Sequence, residues 1–289
     1  MEDLKNYIEA IIRQQVPIEG WKWLSDKTQG LDNTSQFNLV FAAIPRKTGR
    51  GKVNITGEQA KAIQQLRSGL SVENWTIDRL TRVWLLMHLD ASDKVAYTRT
   101  IENLFLAADM NEQVALYSAL PVLAYPEHWQ KRCAEGIRSN IGDVLQAIMC
   151  NNPYPAEQLL PAAWNQLVLK AFFTEKPIQQ IVGLDRRANG ELAHILSDYA
   201  HERWAAHRVV NPLLWRCVAP FVDEQIFPDI ERIAASENQQ EQMAAALVCK
   251  ESSYPPVKDL MSRNAALQRL AQDEALSWGA LAQEATNVQ

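Results

Sequence analysis

The chain has 289 residues, of which 47% are hydrophobic and 22% are charged, and its formal net charge is −5. This composition is typical of a folded globular protein and excludes a disordered chain. The acidic balance counts against a nucleic-acid partner, because proteins of that class usually present a basic surface. The N-terminal residues MEDLK lack the features of a signal peptide, and no run of 18 apolar residues predicts membrane insertion. We therefore expect a cytoplasmic protein.

The four cysteines are far apart in the sequence, at Cys133, Cys150, Cys217 and Cys249. Structural zinc sites usually draw their ligands from closely spaced pairs of residues. The spacing therefore predicts buried free thiols in a reducing compartment. We expect no cofactor and no bound metal.

Apolar residues recur at helical spacing from the N-terminus onward. Residues 1–14 predict an amphipathic helix that ends before Pro17, and two short helices follow near Trp21 and Phe37. From residue 57 the pattern becomes regular, with helices predicted to begin near Glu58, Trp75, Asp93, Asn111 and Glu127. A spacing of roughly 17 residues per helix is typical of helix pairs stacked as in HEAT or armadillo arrays.

No segment shows the alternating pattern of a β-strand, so the fold class is predicted to be all-α. We expect HEAT-like stacked helix pairs in a single irregular helical domain over residues 1–289. Within it, residues 1–56 form the N-terminal helices and residues 236–289 the closing helices. A compact irregular helical domain remains the alternative to an array.

Pro45 is predicted to open a basic loop. The loop contains Arg46, Lys47, Arg50 and Lys52, with glycines at positions 49 and 51. Glycine would let backbone N–H groups approach a phosphate, but the P-loop spacing is absent. We therefore favour a solvated surface loop.

Polar residues are concentrated between aromatic residues in the stretch 121–221, which predicts a polar site inside a helical protein. One helix of this stretch spans about residues 190–208. Arg203 falls in the middle of its apolar face, so we expect a buried anionic partner for its guanidinium. The candidate partners are Glu135, Asp143 and Asp185.

Two interpretations of this helix stay open. Arg203 could form a structural ion pair, or it could line a pocket together with Glu202 and either His201 or Asp198. Residues 194, 198 and 201 could also ligate a metal from one helix face, although the spacing of zinc proteases is absent.

Other segments of the stretch offer further polar groups. The helix over 164–174 is apolar nearly all round, with Lys170 on a narrow polar stripe and Asn165 beside it. Arg132 and Glu135 have the spacing of a helical ion pair, with Arg138 adjacent. In the turn NNPYP at 151–155, each residue before a proline is expected to be extended, which would present Tyr154 at a fixed angle. The mixture of cations, acids and amides suits a hydroxylated small molecule, with or without phosphate.

Several motifs in this order resemble the EboA-domain family. They are LPVL at 120–123, GIRSN at 136–140, NNPYP at 151–155, AWNQLVLKA at 163–171, GLDRR at 183–187 and DYAHERWAA at 198–206. The specific resemblance covers about residues 110–225. It gives no shared role to His207.

The resemblance implies a bacterial accessory protein encoded in an operon for making or exporting secondary metabolites. The other products of that operon resemble a membrane prenyltransferase, a TatD-type hydrolase, a sugar-phosphate cyclase and a TIM-barrel protein. No reaction is assigned to the family. The expected partners are therefore a polar metabolite or other proteins of the operon.

Three hypotheses follow. In the first, an accessory protein binds a polar metabolite or a pathway partner in a central groove; its candidate ligand-binding residues are Arg203, Lys170, Asn165, Asp185, Arg186, Tyr154, Arg138 and Glu135. In the second, an enzyme acts on a cyclitol or sugar phosphate, with Glu202 or Asp198 as general base and His201 as proton shuttle. The third is a helical scaffold for pathway proteins.

Overall fold

The computed structural model describes residues 1–29 and 34–286, and within these ranges the chain forms α-helices and short 3-10 helices. The all-α prediction is confirmed. An isolated β-bridge between Lys52 and Thr76 is the only extended pairing in the described ranges.

Close packing divides the chain into two compact units, Met1–Leu160 and Pro161–Gln289. They are named here the N-terminal unit and the C-terminal unit. The expectations of one domain and of helix pairs stacked as in a HEAT array stay predictions. None of the described helices combines the length and the apolar character needed to cross a membrane.

The N-terminal unit is built around the buried helix α5. Its α-helices in the described residues are α1 (Glu2–Gln15), α2 (Ile18–Thr28), α3 (Thr34–Thr48), α4 (Gly57–Leu66), α5 (Ile77–Leu86), α6 (Lys94–Ala107), α7 (Met110–Ala119), α8 (Gln130–Ile137), α9 (Gly142–Met149) and α10 (Tyr154–Gln158). Two 3-10 helices, Leu120–Val122 and Pro126–Trp129, lie between α7 and α8. Helices α3, α5, α7 and α9 pack one against the next, and α1 also packs on α5.

Helix α5 buries three polar residues, Asp78, Thr81 and Arg82, together with its apolar residues. Arg82 forms an ion pair with Asp78 at 2.8 Å, and its guanidinium lies 3.5 Å from Glu112 of α7. The side chains of Arg82 and Asp78 are 2% and 5% exposed. A charge this deep needs a partner, so the cluster fixes how α5 packs on α7.

The basic loop predicted at Pro45 differs from the structure, because α3 continues through this proline. Proline has no N–H to donate to the carbonyl of Phe41, one turn earlier. The Nε of Arg82 donates to that carbonyl instead, at 3.3 Å. Arg46 and Lys47 therefore lie in the last turn of the helix, where cations interact favourably with the helix dipole.

The C-terminal unit is organised around α16. Its α-helices in the described residues are α11 (Pro161–Phe173), α12 (Leu184–Arg187), α13 (Gly190–Ala205), α14 (Leu214–Val218), α15 (Phe227–Ala234), α16 (Gln239–Glu251), α17 (Pro255–Arg263), α18 (Ala265–Gln272) and α19 (Trp278–Thr286). Two 3-10 helices are Ile178–Gln180 and Ala219–Phe221. Helix α16 is buried from Met243 to Cys249 and contacts α14, α15, α17, α18 and α19. Helix α13 packs on α11 and α14.

The predicted state of the cysteines is confirmed. All four cysteines are buried, and none of them forms a disulfide. Burial raises the pKa of Cys217 to about 12 and that of Cys249 to about 11. The cysteines therefore act as core residues.

Candidate functional site

The start of α13 is held by a buried amide pair. The side-chain oxygen of Asn189 accepts the backbone N–H of Leu192 at 2.9 Å, which makes Asn189 the N-cap. The Nδ2 of Asn189 donates to Oδ1 of Asn165 at 2.9 Å. Asn165, predicted to orient a ligand, is 1% exposed, and its Nδ2 lies 3.3 Å from a carboxylate oxygen of Glu191. Its observed contacts position α13.

Helix α13 presents different chemistry on two opposite faces. Successive residues turn by about 100° in an α-helix, so Tyr199 and Arg203 share one face. Ser197 and His201 lie on the other face. The first pair lines a cavity, and the second pair contacts α15.

The cavity on the Tyr199 face has a volume of about 450 Å³. Half of its lining residues are apolar, including Phe172, Ile178 and Leu213. The other half carry amide, hydroxyl or charged groups. The volume falls in the range of small-molecule sites, in which apolar residues are combined with polar groups that orient the ligand.

Arg203 lines this cavity, but it differs from the prediction of a buried ion pair. The residue is half-buried, and its Nε and Nη2 both donate to the carbonyl of Val209, at 3.0 and 2.8 Å. Arg203 forms no ion pair with a carboxylate of the described residues, and Asp185, one of its candidate partners, pairs with Arg216 instead. The reason is the chain reversal after α13, where His207 has a φ of +53° and the N–H of Arg208 bonds the carbonyl of Arg203. This turn brings the Val209 carbonyl back to the guanidinium.

The predicted catalytic residues lie elsewhere on α13. Asp198 and Glu202 are exposed, and neither lines the cavity. His201 is also exposed, and its Nε2 lies 2.6 Å from Oδ1 of Asp229 on α15. The cavity therefore contains Arg203 without these three side chains.

Asp229 is a site residue that the sequence analysis missed. Its carboxylate is buried, and its second oxygen accepts the hydroxyl of Ser197 at 2.5 Å. A signal was present in the sequence, since Asp229 falls among Ile226, Ile230 and Ile233 at helical spacing. An acid on such a face needs a polar partner, which Ser197 and His201 provide.

The two histidines of α13 contact separate aspartates. Nε2 of His194 lies 2.9 Å from Asp223. Desolvation opposes the ionisation of Asp223, but the backbone N–H groups of Ile226 and Gln225, and then His194, lower its pKa. Across the described residues, no three His, Cys, Asp or Glu side chains are grouped so that they could hold a metal.

The remaining candidates of the C-terminal unit do not line the cavity. Asp185 forms a two-point ion pair with Arg216, with both distances 2.6 Å. Arg186 is exposed on α12. Lys170 is half-buried on α11.

Three candidates belong to the N-terminal unit. Glu135 pairs with Arg132 at 3.0 Å, as its spacing predicted, and Arg138 is exposed. Tyr154 is 1% exposed, and its hydroxyl donates to the carbonyl of Pro126 at 2.5 Å. The residue begins α10, so the extended conformation predicted from the following proline is not adopted.

A family model described as metabolite traffic protein EboA matches residues 4–219. The match confirms the resemblance seen around residues 110–225 and extends it through the N-terminal helices. It includes Arg203 and Val209 and ends before Asp229. No curated protein and no solved structure matches the chain significantly.

Proposed function

Because the chain belongs to the EboA family of metabolite traffic proteins, we propose that it is an accessory protein that binds a small polar metabolite in the cavity of the C-terminal unit. The observation that carries the proposal is the position of Arg203. Its guanidinium lies at the cavity with a backbone carbonyl, and no carboxylate, as its bonded partner among the described residues.

The Val209 carbonyl gives the guanidinium a fixed direction. The carbonyl oxygen bonds the edge of the guanidinium formed by Nε and Nη2, and Nη1 bonds to no described residue. The outer edge of the guanidinium is therefore available for two parallel hydrogen bonds to a carboxylate or phosphate. Hydrogen bonds to a charged group contribute about 1.5–3 kcal/mol each.

Other polar groups also line the cavity. Lys176 supplies a second cation, while Tyr199 and Asn211 supply neutral hydrogen-bonding groups. These groups suit a ligand that carries at least one anionic group.

A thermal-shift panel on the full-length protein tests the proposal. The panel contains sugar phosphates, cyclitols and cyclitol phosphates. A ligand at a hundredfold its Kd adds about 2.7 kcal/mol to the free energy of unfolding, which raises Tm visibly. We expect Arg203→Gln to abolish the shift. Arg208→Gln is the matched control, because Arg208 is exposed and does not line the cavity.

If a ligand raises the Tm of Arg203→Gln as much as that of the wild type, the ligand does not bind through Arg203 in this cavity, and this part of the proposal is wrong. A flat panel with well-folded protein would exclude a hydroxylated ligand, and it would favour the scaffold hypothesis if alkyl phosphates also gave no shift in Tm. The next measurement would then be a pull-down with the purified products of the same operon.

The contact between His201 and Asp229 favours acid–base catalysis as a second candidate function. A buried carboxylate 2.6 Å from an imidazole can fix its orientation, as in catalytic histidine–carboxylate pairs. A substrate would have to bind on the exposed face of α13 opposite the cavity. Under this hypothesis His201→Gln and Glu202→Gln abolish turnover of a cyclitol or sugar phosphate and leave the fold intact. Turnover that persists in both variants would exclude it.

A further inference from the structure

Half of the residues that line the cavity beside Arg203 are apolar, and together they are named here the apolar wall. Phe172 and Ile178 contribute to it from the end of α11 and the 3-10 helix that follows, and Pro212 and Leu213 from the segment after α13. Ala282 of α19 also lines the cavity. A fully hydroxylated ligand would leave those of its hydroxyl groups that face these apolar residues without hydrogen-bond partners, which is unfavourable.

Val209 belongs to the apolar wall and also bonds Arg203. Its side chain lines the cavity and is 70% exposed, while its carbonyl is held by Arg203. The residue that fixes the guanidinium, and so leaves its outer edge available, therefore also exposes an apolar side chain at the cavity. A ligand bound to that edge could cover Val209 with an apolar segment next to its anionic group.

The charges of the lining limit the anionic part of the ligand. Arg203 and Lys176 are opposed by one acid, Glu175. The lining thus carries one net positive charge. This balance suits a single anionic group better than several.

We infer that the ligand of the cavity is a small amphipathic anion, with one phosphate or carboxylate group on an apolar body. The inference rests on the proposed function and narrows it, because it favours an apolar body over the hydroxylated one expected from the sequence. Arg203 binds the anionic group, and Val209 and Leu213 contact the apolar body.

The experiment compares propyl phosphate with glycerol phosphate by isothermal titration calorimetry on the full-length protein. The two compounds have the same anionic group and the same number of carbon atoms, and they differ by two hydroxyl groups. We expect propyl phosphate to bind about tenfold more tightly. In the series from ethyl to hexyl phosphate, each added methylene should tighten binding about fourfold until the wall is covered. Alkanoates of equal length distinguish a carboxylate from a phosphate site.

Matched variants locate the effect. Val209→Thr replaces a methyl group by a hydroxyl of similar size. We expect it to raise the Kd for hexyl phosphate about fivefold. Val95→Thr is the control, because Val95 is 73% exposed on α6 and does not line the cavity. Arg203→Gln should raise the Kd for every alkyl phosphate about tenfold or more.

The outcomes separate the inference from the function on which it rests. If glycerol phosphate binds as tightly as propyl phosphate and both need Arg203, the amphipathic ligand is wrong and metabolite binding stands. If affinity rises with the length of the alkyl chain equally in Val209→Thr and Val95→Thr, the alkyl chain does not contact Val209, and the inferred position of the apolar body is wrong. If no probe binds, or binding ignores Arg203, both proposals fail.

Discussion

At the scale of single residues, Glu251 is expected to make stability depend on pH. Its carboxylate accepts the indole N–H of Trp278 at 2.8 Å, and burial raises its pKa above the ordinary value of 4.5. An acid whose pKa is raised on folding contributes stability below its unfolded pKa, and this contribution is lost as pH rises through the folded pKa. We expect Glu251→Gln, which keeps an acceptor for the indole, to have a higher Tm than the wild type at pH 7.

The advantage of Glu251→Gln should shrink towards zero near pH 4, where the wild-type carboxyl is protonated. Thermal unfolding of both proteins across this pH range measures the difference. Glu284→Gln serves as the control, because Glu284 is exposed on α19. A constant difference between Glu251→Gln and wild type at all pH values would contradict a protonation effect.

The residue scale also shows what the sequence could predict about the candidate site. Arg203 was identifiable because a cation falls on the apolar face of a predicted helix. Its partner was not, because a backbone carbonyl has no residue-specific signal and reaches Arg203 only through the reversal after α13. Asp229 was detectable by the same rule as Arg203, since it is an acid among isoleucines. Its contact with His201 depends on tertiary packing that helical spacing does not encode.

At the scale of elements, the N-cap of α13 is expected to set the stability of the site. Asn189→Ala removes the cap and leaves the buried Asn165 without its donor. We expect a loss of about 1–3 kcal/mol in the free energy of unfolding, measured by urea denaturation. Asn189→Asp keeps the capping oxygen but loses the donor to Asn165, so its loss should be intermediate. Equal stability of Asn189→Asp and Asn189→Ala would show that capping contributes little.

Most helices were predictable because the apolar spacing and the capping residues agree. Asp93 and Asp109 cap α6 and α7 close to the predicted starts. The prediction differed at Pro45 and Tyr154, where proline rules favour a helix end or an extended residue. In α3 the exception depends on Arg82, which bonds the carbonyl that Pro45 leaves unpaired. A local rule cannot include a partner that is 41 residues away in the sequence.

At the scale of the whole molecule, the proposed binding residues and the most deeply buried ion pair of the described residues belong to different compact units. The residues that carry the binding proposal, including Arg203 and Val209, lie in the C-terminal unit. The buried cluster of Arg82 and Asp78 lies in the N-terminal unit. The family match includes both clusters. Stability and ligand affinity should therefore respond to different substitutions.

Asp78→Asn tests this separation. Removing one charge of a buried pair leaves Arg82 poorly compensated, which costs about 3–5 kcal/mol in the free energy of unfolding. We expect this loss in urea denaturation, and faster amide hydrogen exchange in α5 and α7. The Kd for hexyl phosphate should stay within about twofold of wild type, because Asp78 does not line the cavity and the effects of substitutions without shared partners add. Asp3→Asn, exposed on α1, is the control and should change neither quantity. A large change in Kd for Asp78→Asn, measured where the protein is still folded, would show that the cavity depends on the N-terminal unit.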